Sequence, residues 1–193
     1  NHNLDYPDFY GKLYSLLEHN VVYVKYRARF FFLTDIFMSS THLSETIAAA
    51  FVKKLARIAV TAPPNVIIML LRLIGNIMLR HKGLEKLVNS PNVQKEFECD
   101  PYIENEPNLN KCRALESSLW EIKTLQHHFS PDVRDTAKFI NRPLPAMEWD
   151  LSEVLELTMD DVFDKQLKKK IAESFQFNKE VPNVEVLDEL FEW

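Results

Sequence analysis

The residues best placed by type and spacing to do chemistry are basic. Lys25 and Arg29 stand four apart, as do Lys53 and Arg57, with Lys54 beside the second pair. On a helix that spacing puts two side chains on one face. If the two helices are neighbours, the five cations merge into one patch able to hold RNA phosphates, with an affinity that falls steeply with salt. The plainer account is two solvated faces whose aliphatic stems lie along apolar surface. No aromatic stacking motif or RNA-reading fold signature accompanies them.

The other reactive residue types are weaker candidates. His127 and His128 are adjacent, so on a helix they point about 100° apart and cannot chelate one ion together. Asp160, Asp161 and Asp164 offer carboxylates to a hard cation, yet acids are commonplace in a first helical turn, where they meet the positive end of the dipole. Cys99 and Cys112 have no nearby base pattern and read as ordinary thiols, and two cysteines fit a reducing compartment. There is no Gly-rich phosphate loop, no Gly-x-Ser-x-Gly elbow, no His-Glu-x-x-His and no Cys-x-x-Cys. Only 3 of the 193 residues are glycine, which disfavours the tight phosphate-binding turns of nucleotide-binding α/β folds. No catalytic, metal or cofactor site is expected.

Binding remains. Trp120, Trp149 and Trp193 are the candidate partner-binding residues, tryptophan being the type most enriched at interface hot spots. Trp149 follows the breaks at Pro143 and Pro145 and suits a docking anchor, whereas Trp120 could equally fill the core of its own helix pair.

Periodicity supplies the elements that must position these residues. Helices are predicted over about 7–18, 24–39, 44–60, 65–81, 113–129, 131–141 and 159–173, with a short one at 84–89. Tyr26, Phe30, Leu33 and Phe37 share a face of the second, and Ile47, Phe51, Leu55 and Ile58 share a face of the third. The fourth is apolar nearly all round and should be the most buried; its one polar stripe is Arg72, Asn76 and Arg80. Ser44 or Thr41 can cap the third helix, Ser130 before Pro131 opens another, and Thr158 with Asp161 resembles a capping box. No strand is expected. The class is all-α, a HEAT-like helical-repeat stack.

The predicted domain spans 1–173: a basic half at 1–90, an acidic loop at 91–112 and an acidic half at 113–173, followed by an acidic arm at 174–193. Residues 1–90 carry 11 Lys+Arg against 6 Asp+Glu, whereas residues 91–193 carry 12 against 22. Two oppositely charged halves either face two different partners or attract each other. The longest apolar run, Val66 to Leu71, is too short to span a bilayer. Beginning at Asn1 and ending on Trp193, the sequence reads as a piece of something longer, with no signal-peptide pattern at its start.

Several blocks together resemble a known family: VKYRARFFFLTDIFMSSTHL at 24–43, AAFVKKLARIAVTAPP at 49–64, RALESSLWEIKTLQHHFSPDV at 113–133 and VLELTMDDVFDKQLKKK at 154–170. In this order they are similar to the C-terminal half of a member of the CCAAT-binding-factor family of nucleolar assembly proteins. The resemblance implies a helical-repeat scaffold rather than an enzyme. It implies action in the nucleus and nucleolus, within the small-subunit processome. It further implies pairing with nucleolar protein fourteen, support of small-subunit rRNA maturation and export, and secondary contact with pre-rRNA. The family name also suggests a transcription or chromatin-associated DNA-binding role, for which no DNA-reading helix pattern is present.

Overall fold

A computed structural model describes residues 8–40, 42–88, 100–104 and 106–168. These are helical, and no strand occurs among them. The α-helices are α1 (Phe9–Ser15), α2 (Arg27–Met38), α3 (Glu45–Thr61), α4 (Pro64–Arg80), α5 (Trp120–Leu125), α6 (Pro131–Ala137), α7 (Ser152–Leu155) and α8 (Met159–Lys168). Short 3₁₀ turns occupy His19–Val22, Lys82–Leu87, Ala114–Glu116 and Lys138–Asn141.

The α3–α4 hairpin is the centre. The Ser44 hydroxyl accepts the Ile47 N–H at 3.4 Å, satisfying one of the free amides that open α3. Pro63 and Pro64 then stop one helix and start the next, because a proline lacks the N–H a helix interior needs but fits its first turn. With only Ala62 and Pro63 between them, the two helices pack along their length. Both are apolar on most sides, and α4 is buried from Pro64 to Met78 except at Arg72. Each fully buried Leu or Ile contributes about 1.5–3 kcal/mol relative to an exposed one. Around the hairpin, α1 wedges its aromatic rings in, with Tyr14 edge-on to Phe51 and Phe9 edge-on to Phe37. α5 lies on α3, α6 on α4, and α7 and α8 close over α4 from the side that α2 also meets.

Several boundaries differ from the periodicity. A single helix over 113–129 is not formed: after the turn at Ala114–Glu116 the chain runs extended, and α5 starts only at Trp120. Tertiary bonds pull it out of helix, since Leu119 N–H donates to Leu87 O at 3.0 Å and Ser117 Oγ donates to Asp100. Ser130 is the N-cap residue of α6 but gives no side-chain cap; its N–H instead donates to His128 Nδ1 at 3.1 Å. The short helix α7 carries no long apolar period and was not expected. Residues 100–112, read as loop, add Tyr102, Leu109 and Cys112 to the core. Cys99, the end of the last expected helix at 169–173, and the arm at 174–193 lie outside the described residues.

The two charged halves attract each other. Every ion pair of Lys53, Arg57, Arg72 and that of Arg80 with Glu148 joins a cation of the basic half to a carboxylate of the acidic loop or the acidic half.

Candidate interaction surface

Two seams fix what the surface can offer. The first lies between α3 and α5. Lys53, on the inward side of α3, is fully buried. Its Nζ sits 2.7 Å from Glu121 Oε1 and 2.9 Å from Asp100 Oδ2, and donates to Ser118 O at 2.6 Å. One turn on, Arg57 reaches the same Asp100 oxygen and Glu121 Oε1, each at 2.7 Å. Trp120 lies over both cations: its ring centroid is 4.8 Å from Arg57 Cζ and 5.5 Å from Lys53 Nζ, and its Nε1 donates to Asp100 Oδ2 at 2.9 Å. Burial opposes the charge on Asp100. Hydrogen bonds from Ser117, Trp120, Lys53 and the Tyr102 N–H outweigh it and hold the carboxyl well below the usual range. Burial pushes the Glu121 carboxyl up, against the pull of Lys53 and Arg57.

The second seam is the polar stripe of α4, which grips the strap at 142–151. Arg72 Nη1 donates to Asp150 O at 3.1 Å and pairs with Glu153. Asn76 bonds the backbone of Trp149 on both sides, and Arg80 pairs with Asp35 of α2 and Glu148. The Trp149 ring lies against Gly75, where a Cβ would overlap it, and edge-on to Phe139 at 5.7 Å. Beside it, α4, α6, the strap and α8 enclose a cleft of about 580 Å³ with an apolar floor including Ile68, Leu71 and Val162.

The candidate residues therefore part company. Lys53 has no surface to offer a phosphate, which corrects its place in the basic patch: its charge is spent on the buried Glu121 and the half-buried Asp100. Arg57 is turned to the same acids, and Lys54 donates to Tyr14 O at 3.1 Å with its ammonium over the Tyr14 ring. Lys25 and Arg29 are exposed at the start of α2, which packs on α4 and α7. Trp120 is 40% exposed and belongs to the first seam. Trp149 anchors the chain's own strap, and Trp193 is outside the described residues. Asp161 accepts the Thr158 N–H at 3.0 Å while Asp161 N–H donates to Thr158 Oγ1, so that carboxylate completes the capping box. No group of acids, histidines and cysteines among the described residues is arranged to hold a metal ion.

Outside the seams, several large apolar side chains lie exposed. On α2 the outward arc holds Tyr26, Phe32, Leu33 and Ile36, and on α8 it holds Met159, Phe163 and Leu167. Phe129 and Met147 are exposed as well, at 77% and 81%. A helix apolar on both faces and covered on one marks an association surface. The face of α2 read from spacing is split in the structure: Phe30 and Phe37 pack against the core, whereas Tyr26 and Leu33 turn outward with Phe32 and Ile36.

The CBF/Mak21 family model matches residues 1–137. The chain belongs to the CBF/Mak21 family. Its similarity to curated relatives runs through both seams. It is 53% identical over 167 residues to a zebrafish (Danio rerio) protein called Nucleolar complex protein 4 homolog, covering 86% of this chain and 32% of that protein. Chicken (Gallus gallus) and human (Homo sapiens) proteins of the same name are 48% and 49% identical over 171 and 169 residues, covering 89% and 88% of this chain and 34% and 33% of theirs. This CBF/Mak21 chain thus spans about a third of the length of the curated relatives it matches.

Proposed function

We propose that the chain is part of a non-catalytic ribosome-biogenesis factor of the nucleolus, working as a scaffold in the small-subunit precursor by holding nucleolar protein fourteen. Its similarity over most of its length to proteins named for a nucleolar complex carries this reading. The side-chain arrangement agrees with it. The buried charges join the two halves, and exposed apolar and aromatic side chains are grouped on α2 and α8, where a protein partner could cover them. In this reading α2, the α3–α4 hairpin and α5–α6 form a short HEAT-like stack that presents its outer helices.

The test is to express the whole protein with an affinity tag, separate nucleolar extracts on a sucrose gradient and co-purify its partners. Co-sedimentation with small-subunit precursors and recovery of nucleolar protein fourteen in moderate salt is the expected result. Migration with large-subunit precursors, or sequence-selective shifts of duplex DNA by a protein absent from ribosomal particles, would overturn it. Trp149→Ala is unsuitable as the interface variant, because that ring holds the chain's own strap.

A further inference from the structure

We infer that the outward face of α2 is a docking groove for this chain's own acidic C-terminal segment, residues 181–193. The face is built by helical spacing: Tyr26, Arg29, Leu33 and Ile36 recur at three and four residues, with Phe32 beside them and Lys25 at the entry. The four apolar members are exposed although the opposite side of the same helix, Phe31, Thr34 and Met38, is fully buried. An α2 with large apolar side chains on two sides needs a cover on both, and the described residues supply only one.

Charge selects the cover. The ionised groups along this arc are Lys25 and Arg29. Residues 181–193 contain no Lys or Arg; at helical spacing Val184, Leu187, Leu190 and Phe191 share one side while Glu185, Asp188, Glu189 and Glu192 share another. That is the pattern of a segment that lays an apolar stripe into a groove and pairs its acids with a basic rim. The other exposed apolar stripe, Met159, Phe163 and Leu167 on α8, has the acids Asp160 and Asp164 along its edge and the cations Lys165 and Lys168 further round the helix, whereas the α2 arc carries cations alone. Reach is no obstacle. Residues 169–180 can span about 40 Å when extended, against a radius of gyration of about 16 Å for a domain of this length.

The experiment uses the full chain at low micromolar concentration with a zero-length carbodiimide, which joins a lysine amine to a carboxylate, read by peptide mass spectrometry. The expected product links Lys25 to Glu185, Asp188, Glu189 or Glu192. Its yield should exceed that of links from the same acids to exposed Lys12, Lys82 or Lys123 by fivefold or more, and drop at high salt. Ile36→Asp, a surface change that should leave the circular dichroism spectrum intact, should cut the Lys25 yield at least fivefold; Leu33→Ser serves if Ile36→Asp does not fold. Links spread evenly over the surface lysines, or a yield unmoved by the folded variant, overturns the proposal. Links that join isotopically heavy to light copies in a mixed sample also overturn it, assigning the groove to a second molecule instead.

Discussion

Asn76 holds the peptide backbone of Trp149 from both sides: its Nδ2 donates to Trp149 O at 2.9 Å and its Oδ1 accepts the Trp149 N–H at 2.8 Å. Replacing it with Leu leaves both backbone groups without their partner, at about 1–3 kcal/mol for a buried group. Gly75→Ala should destabilise by a similar amount, about 1–3 kcal/mol, because the new methyl overlaps the Trp149 ring. Urea denaturation measures both. Combining Gly75→Ala with Trp149→Leu should give less than the sum of the single losses; strict additivity would place the two residues out of contact.

Lys53 is the charge the fold can least do without. Lys53→Met leaves Glu121 and Asp100 short of a cation inside the protein, and removing one member of a buried pair costs about 3–5 kcal/mol. Lys53→Met with Glu121→Leu should recover a large part of that loss. A double variant no more stable than the single one would mean that the seam depends on Asp100 alone.

Acid should open the same seam. The Asp100 carboxyl is held below its ordinary range in the folded chain, so its contribution is present above the unfolded value of about 3.9 and is lost as the pH falls toward the folded one. Stability measured by urea titration should therefore decline below about pH 4, the ordinary aspartate range. In Asp100→Asn the acid limb should be flatter and the neutral-pH stability lower; an unchanged acid limb would assign the decline to other carboxylates.

In the middle of α4, Leu71→Asp introduces a carboxylate with no partner at a fully buried position. The expected loss is about 4 kcal/mol or more, read as a collapse of the thermal transition. Equal stability of the variant would mean that α4 is not the centre of the fold.

The sequence made α3 and α4 legible because their apolar periods and the proline pair between them are local signals, and the structure puts both helices within a residue or two of the expected ends. α5 was overextended because what unwinds 117–119 is long-range: Leu87 O and Asp100 hold the chain in an extended path that no local pattern announces. The interaction residues were harder. Lys53 and Arg57 satisfy the spacing rule for a solvated basic face, yet the first is interior because its partners sit far along the chain, Glu121 being 68 residues away. A hint existed: Lys53 is flanked by Phe51, Val52, Leu55 and Ala56, all fully buried. Trp149, read from its proline-broken surroundings as a docking anchor for a partner, fastens the chain's own strap.

That 68-residue separation has a consequence for how the protein is made. When α3 and α4 have left the ribosome, the acids that neutralise Lys53 and the strap that covers the α4 stripe have not been synthesised. At about 5–20 residues per second, the nascent chain carries an apolar hairpin with an uncompensated cation for several seconds before its complement arrives. The domain cannot close in halves as it emerges, and the interval of greatest exposure to chaperones and proteases ends only with the release of α5 and the strap.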